Sequence, residues 1–256
     1  MESIPIIVFR YCGKYGHFRR PYSNVSSFSY PFPPRTAIAG LLGAILGVKK
    51  EKVSETFAEN KLKVGIAIEE EIKTITHVTN FRQDGPGDIN YSIKIPKKNK
   101  IPKELKRPPE SNMATQIPME LLRKPSYLLY VSLKFSMDEL ISRIKTERSV
   151  YTPCMGLSEF LANLKYESEG IAETLPLEPN EREISTVIRK EDCSLLIDRI
   201  KPEDGDNIIE LKVPHLGTPD RTFTYKNYLL NMVPKPLPVS MRGQSYQFED
   251  KVITFL

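Results

Sequence analysis

The chain has 256 residues, 27% of them charged and 40% hydrophobic, and a formal net charge of +5. That balance excludes a disordered or collagen-like chain, and the length buries a sizeable core without a disulfide or metal staple. Cys12, Cys154 and Cys193 are far apart and odd in number, and His17, His77 and His215 have no metal-ligand spacing, so neither a metal nor a cofactor is expected.

Ile4–Phe9 is apolar and β-branched and predicts a first strand. A loop from Gly13 to Pro21 follows, in which Lys14, His17, Arg19 and Arg20 are interleaved with Tyr15 and Phe18. Pro31, Pro33 and Pro34 bar a helix there. Arg35–Gly47 predicts the clearest helix: Ile38, Leu41, Leu42 and Ile45 form one stripe, prolines precede it and Gly47 ends it. Gly40 and Gly43 each cost about 1 kcal/mol inside a helix, so close approach of the helix to a sheet or to another backbone is expected to use them. The free N–H groups beside Arg35 and Thr36 suit a phosphate. The longest apolar stretch, Ala37–Val48, is about half a membrane span. With no leader-like start, the chain is expected to be cytoplasmic and off the membrane.

Leu62–Ile72 and Thr74–Phe81 predict extended chain. From Arg82 the composition changes. Lys94 to Arg107 holds seven cations against one acid, and 82–117 is expected to be a long basic insertion. Tyr127–Phe135 predicts a third strand and Met137–Ile144 an amphipathic helix. Ser149–Phe160 predicts a loop into a short helix capped by Ser158, and Leu164–Glu167 a fourth strand. The order is βαββαβ, which is ferredoxin-like (RRM-like). Beyond it, short strands are expected at Ile184–Ile188, Leu195–Ile200, Ile208–Val213, Thr222–Leu229 and Tyr246–Phe255. The class is therefore α+β, with one domain over 1–170 that carries the insertion and a smaller β-rich part over 171–256.

Divided along the chain, the net charge becomes +6 in 1–50, +5 in 82–124 and −8 in 158–211. The basic half suits a polyphosphate, while the acidic stretch is expected to face solvent or a protein neighbour. Cations mixed with aromatics suit single-stranded RNA, since cations neutralise phosphates and flat rings stack unpaired bases. His17, Phe18, Arg19, Arg20, Tyr22 and Arg35 have this texture. No phosphate loop, nucleophile elbow or dinucleotide fingerprint is present. His17, with Tyr15 or Lys14, is the group suited to metal-free acid–base cleavage of RNA. The alternative is a histidine that hydrogen-bonds RNA.

The run Ser29–Gly47 (SYPFPPRTAIAGLLGAILG) resembles the N-terminal signature of the fifth family of CRISPR-associated (Cas) proteins. Gly16–Pro21, Thr115–Leu122 and Tyr151–Glu159 also resemble it, so the likeness spans about the first 165 residues. Type I-B is the most similar subtype. The resemblance implies a RAMP-superfamily, ferredoxin-like fold whose β-hairpin thumb is the 82–117 insertion. It further implies a non-catalytic subunit of the Cascade surveillance complex that grips the crRNA 5′ handle and caps the filament of the backbone subunit. Such a subunit contacts the large subunit near the PAM-proximal end of target DNA. On this reading Arg19, Arg20 and Arg35 hold handle phosphates, with Thr36 at the helix start. Phe18 and Tyr30 stack or wedge bases, and His17 bonds the RNA. Arg82, Lys94, Lys97, Lys98, Lys100 and Arg107 supply the thumb's backbone contacts. One branch of the family processes crRNA without metal, which keeps a metal-independent endoribonuclease as the alternative function.

Overall fold

The computed structural model describes residues 3–21, 26–81, 115–218, 220 and 222–256. The chain starts with β1 (Ser3–Gly13), three two-residue strands β2 (Tyr15–Gly16), β3 (Phe18–Arg19) and β4 (Ser29–Tyr30), then α1 (Arg35–Leu46) and the short α2 (Val53–Thr56). Next come β5 (Leu62–Ile68), β6 (Lys73–Phe81), β7 (Thr115–Arg123), β8 (Ser126–Leu133), α3 (Met137–Lys145) and β9 (Ala162–Thr174). The remainder is all strand and tight turn: β10 (Glu181–Ile184), β11 (Ile188–Arg189), β12 (Cys193–Leu195), β13 (Ile208–Gly217), β14 (Phe223–Asn231), β15 (Leu237–Met241), β16 (Tyr246–Phe248) and β17 (Lys251–Ile253). The fold is mixed α+β and dominated by strands.

β1 pairs antiparallel with both β8 and β9, and β8 pairs antiparallel with β5. Successive side chains of a strand point to opposite faces, so Ile7, Phe9 and Tyr11 face one way and Ile4, Ile6 and Val8 the other. Both faces are buried, which is why residues 4–9 are apolar without alternation. The first face is covered by Ile38, Leu42 and Ile45 of α1 and by Leu140 and Ile144 of α3. The second is covered by Tyr246, Phe248 and Ile253 of the β16–β17 hairpin.

The β-rich part after residue 170 builds onto this sheet. The full nine-stranded order is β12-β15-β10-β17-β16-β9-β1-β8-β5. The outer edge of β5 is closed by the Val187 N–H on the Ile66 carbonyl (2.7 Å) and the Leu256 N–H on the Val64 carbonyl (2.8 Å). A naked strand edge invites foreign pairing, and here the returning chain removes it. A second sheet, β11-β14-β13, shares the α1 core through Val213, Tyr228 and Leu230.

Several boundaries differ from those the sequence implies. No helix forms at Ser158. Its hydroxyl meets the Glu159 carboxylate, and the loop is closed instead by the Met155 N–H on the Phe160 carbonyl (2.7 Å). The strand at Leu195 stops there, and a tight turn over Ile197–Arg199 follows. β15, which contains Pro238, had no sequence signal. The two helix glycines also differ from each other. A Cβ on Gly43 would lie 3.1 Å from Val53 and 3.7 Å from Phe57, so α2 packs where that side chain would be. A Cβ on Gly40 would meet nothing within 4 Å.

Candidate nucleic-acid interface

The basic loop after β1 is sewn to β7. The Ser27 N–H donates to the Pro118 carbonyl (2.9 Å) and the Glu120 N–H to the Ser27 carbonyl (2.8 Å). The Ser29 N–H donates to the Glu120 carboxylate (2.9 Å). His17 sits inside this seam. Its Nδ1–H donates to the Glu120 carbonyl (2.7 Å), and the Ser27 hydroxyl donates to Nε2 (2.9 Å). A carbonyl can only accept, so Nδ1 carries a proton, and burial disfavours the charged ring, which leaves Nε2 to accept from the Ser27 hydroxyl. With 1% exposure and both nitrogens engaged inside the protein, His17 offers no free ring nitrogen to RNA or to a reacting group. This corrects both sequence readings of it.

Burial corrects three more. Phe18 and Tyr30 face each other across β3 and β4 and belong to the main core, so neither ring is offered to a base. Arg35 is 2% exposed. Its Nη2 donates to the carbonyls of Leu62 (2.9 Å), Ala58 (3.2 Å) and Phe57 (3.3 Å). Arg20 is half-buried, donates Nε–H to the Ser29 carbonyl (2.8 Å) and lies 5.5 Å from the Tyr30 ring centre. Arg82, Lys94, Lys97, Lys98, Lys100 and Arg107, and Tyr22, lie outside the described residues. The ribbon that carries the insertion is described: β6 and β7 pair antiparallel from Lys73↔Arg123 to Phe81↔Thr115.

Arg19 and Thr36 do come together. They line a groove of about 900 Å3 between α1 and the β13–β14 hairpin, along with Lys50, Gly40, Gly217 and Phe223. Arg19 and Lys50 are exposed, and among the described residues neither is in an ion pair. In the acidic stretch 158–211, half of the fourteen acids are in ion pairs. Glu167, Glu169, Glu181, Glu191, Asp192, Asp204 and Asp206 are each paired with a lysine or arginine. The groove therefore presents two cations without an ion-pair partner, Arg19 and Lys50, beside one acid, Glu51. α1 opens onto it with no side-chain cap and no acid in its first turn, which leaves its dipole and free N–H groups uncompensated. Phe223 is 42% exposed. A Cβ on Gly217 would lie 3.0 Å from the Phe223 ring and 3.8 Å from the Thr36 methyl, so the missing side chain lets the ring lie flat against that wall.

Lys50 and Phe223 were not singled out in the sequence. The available signal for Phe223 was an aromatic at the start of a strand, beside a polar turn and outside the alternating core pattern. Arg19 also lines a second, largely apolar cleft of about 810 Å3 on the β6–β7 face, formed by Ile75, Ile117, Met119, Leu121 and Phe160.

A second buried histidine ties the hairpin to the rest. The Tyr228 hydroxyl donates to His215 Nδ1 (2.7 Å), and Nε2–H donates to Glu59 (3.1 Å). That bond holds the Glu59 carboxyl below the usual carboxylate range. Burial pushes the pKa of both His17 and His215 below the ordinary 6.5. The unfolded chain then takes up protons near pH 6.5 that the folded one refuses, so stability is full above that pH and falls as pH drops toward the folded values. Urea midpoints measured from pH 7.5 down to 5 should decline below about 6.5, and His17→Gln should flatten the decline. A midpoint independent of pH across that range would contradict the buried neutral rings.

Residues 6–122 match the family described as CRISPR-associated protein (Cas_Cas5). Over this stretch, which is just under half of the chain, the sequence is similar to the fifth Cas family. Two solved structures share its fold. One is from a CRISPR RNA-guided surveillance complex, 10% identical, with a TM-score of 0.51 and 91% of each chain covered. The other is a CRISPR protein from Archaeoglobus fulgidus, 12% identical, with a TM-score of 0.51 and 97% of this chain and 98% of that one covered. No curated protein matches the sequence significantly. The fifth-family match takes in β1, α1, Arg19, Thr36 and Lys50 and ends in β7, whereas the hairpin that carries Phe223 lies beyond it. Among the described residues no helix is long and apolar enough to cross a membrane.

Proposed function

We propose that the chain is a crRNA-binding subunit of a type I Cascade surveillance complex, of the I-B kind, and that it holds the crRNA 5′ handle in the α1 groove. The observation that carries this reading is the meeting of unpaired Arg19 and Lys50, the uncapped start of α1 and the exposed Phe223 in one concavity. Arg19 and Lys50 neutralise phosphates, the helix start adds N–H donors, and Phe223 stacks a base. Such a site tracks a single strand by backbone and stacking and leaves sequence to the guide's base pairing. The four-strand order β9-β1-β8-β5, with α1 after β1 and α3 after β8, supports the ferredoxin-like reading. In that reading 1–170 is the RNA-gripping part and 171–256 the part that closes the sheet and supplies the Phe223 wall. The β6–β7 ribbon supports the thumb. The filament's backbone subunit, the large subunit and target DNA near the PAM are the proposed neighbours.

Titration of fluorescein-labelled repeat-derived RNA tests the reading. Arg19→Ala and Lys50→Ala should each weaken binding and lower the slope of log affinity against log salt by about 0.7. Phe223→Ala should weaken it about 5- to 100-fold, the loss of one stacked base. Affinities and slopes that match the parent protein in all three variants would sink the proposal. The same RNA incubated in chelator should stay intact. A defined product would favour the endoribonuclease, with an acid–base group other than His17.

A further inference from the structure

Among the described residues β6 is the last strand of its sheet, whose order is β2-β7-β6. The direction of its backbone groups follows from its neighbour. The Lys124 N–H donates to the Lys14 carbonyl and the Glu120 N–H to the Ser27 carbonyl, so the even-numbered positions along β7 spend their main chain on β2 and the basic loop. Facing alternates along an antiparallel strand, so Met119, Leu121 and Arg123 turn theirs to β6, opposite His77, Ile75 and Lys73. Thr74, Thr76 and Val78 therefore present N–H and C=O groups at the outer edge, and all three residues are exposed. Among the described residues no backbone hydrogen bond reaches that side.

A strand edge of this kind is normally guarded, and the other edges of the described sheets are. β5 is closed by the returning chain. β2, β3, β4, β11 and β12 are no longer than three residues. β13 is long but carries Pro214, which has no N–H to offer, with exposed Glu210 and Lys212 before it. From Thr74 to Thr79, β6 has no proline, glycine, acid or lysine, and five of the six residues are β-branched. A row of alternating N–H and C=O groups is matched by the main chain of another extended peptide.

The surroundings say what sort of peptide fits. Ile75, Ile117, Met119 and Leu121 wall the apolar cleft on one face of the ribbon, so residues of an added strand that point to that face are apolar. At the Lys73 end stand Lys14, Arg123 and Lys124, all exposed and, among the described residues, in no ion pair. Charge complementarity makes the peptide acidic at that end.

We infer that the outer edge of β6 takes up an extended segment of a protein partner as an added strand, with apolar side chains over the cleft and acidic ones beside Lys14 and Arg123. The inference does not depend on the α1 groove being the RNA site.

The experiment is a selection from a displayed library of random peptides on the full-length protein. Enriched peptides should alternate apolar residues and carry acid at one end. Such a peptide, methylated on alternate main-chain nitrogens, should keep its affinity in one phase and lose about fivefold or more per blocked bond in the other. Only one set of its N–H groups faces β6. Thr76→Pro should weaken binding to a similar degree and melt near the parent, since the N–H it removes points outward. Ile75→Pro, whose N–H is spent on β7, should melt lower. Lys14→Glu combined with Arg123→Glu should weaken binding at low salt and have less effect at high salt. The methylated peptides use the parent protein, so their result does not hang on whether a proline variant folds. No enrichment, or enriched peptides indifferent to the methylation phase, would overturn the inference. Weakened oligouridylate binding in Thr76→Pro would also overturn it, by giving the edge to RNA. A dimer of the free protein that Thr76→Pro dissolves would overturn it too, by giving the edge to a second copy.

Discussion

Gly156→Ala should lower the free energy of unfolding by about 3–5 kcal/mol, the sum of a left-handed backbone penalty and an overpacking penalty. Gly156 has φ +92°, and a Cβ placed on it would lie 2.0 Å from the His17 carbonyl oxygen and 3.1 Å from the Phe18 ring. Relief requires the 16–18 segment to move, and nothing there can give way. The His17 N–H is bonded to the Met155 carbonyl (2.9 Å), and both ring nitrogens are bonded as well. On the other side, the Cβ position of Gly16 is already 3.2 Å from Met155 and 3.3 Å from Pro125.

Gly205→Ala isolates the two penalties. Gly205 has φ +89°, but a Cβ there meets nothing within 4 Å. It should lose only the conformational part, about 1–2 kcal/mol. Urea unfolding of both variants measures the difference. Equal losses would mean that the loop yields and that the contact with His17 carries little. The Gly156 variant should also bind RNA more weakly than its stability alone explains, because Arg19 follows Phe18 directly and rides on the displaced segment.

The contact explains why some of the site was legible in the sequence and some was not. β1, β5, β8 and both long helices announce themselves by apolar runs and by 3.6-residue spacing, because each buries a face against the same core, whereas the polar, half-exposed β9 shows only at Leu164–Glu167. The stretches 16–21, 115–122 and 151–159 also stood out, but only as separate patches. In the fold they are one structure: His17 bonded to Ser27 and Glu120, with Met155 and Gly156 packed against its backbone. No periodicity predicts that meeting, because it is made by turns and by main-chain bonds between segments over a hundred residues apart. The groove hides for the same reason. Arg19, Thr36, Lys50 and Phe223 come from a two-residue strand, a helix start, a tight turn and the start of a long strand. Composition correctly located the positive charge in the N-terminal half. It could not separate exposed Arg19 from buried Arg35, since the partners of Arg35 are backbone carbonyls, which leave no mark in a sequence.

That distinction sets the other large effect. Arg35→Met should cost about 2–4 kcal/mol of stability in the absence of RNA, the range for charge-assisted hydrogen bonds removed from buried acceptors. One nitrogen, Nη2, reaches the carbonyls of Phe57, Ala58 and Leu62 and so staples the start of α1 to the turn that leads into β5. Burial pushes the pKa of this guanidinium down while nearby Glu59 pulls it back up. An arginine stays charged through both, so the carbonyls face a permanent cation. Methionine keeps most of the volume and removes every donor, so the loss reports the hydrogen bonds and not a cavity. Arg35→Lys retains the charge but has no planar fork for several carbonyls at once, and its stability should fall between the parent and the methionine variant. The sequence expectation, in which Arg35 simply holds a handle phosphate from the surface, makes the opposite forecast: unchanged melting without RNA, with only affinity reduced. Thermal melts of the free protein decide between them. If Arg35→Met melts with the parent, the three carbonyl contacts are incidental and the residue belongs to the RNA. If its melting falls as the geometry requires, the first duty of Arg35 is to hold α1 in the position from which Thr36 and Gly40 face the groove.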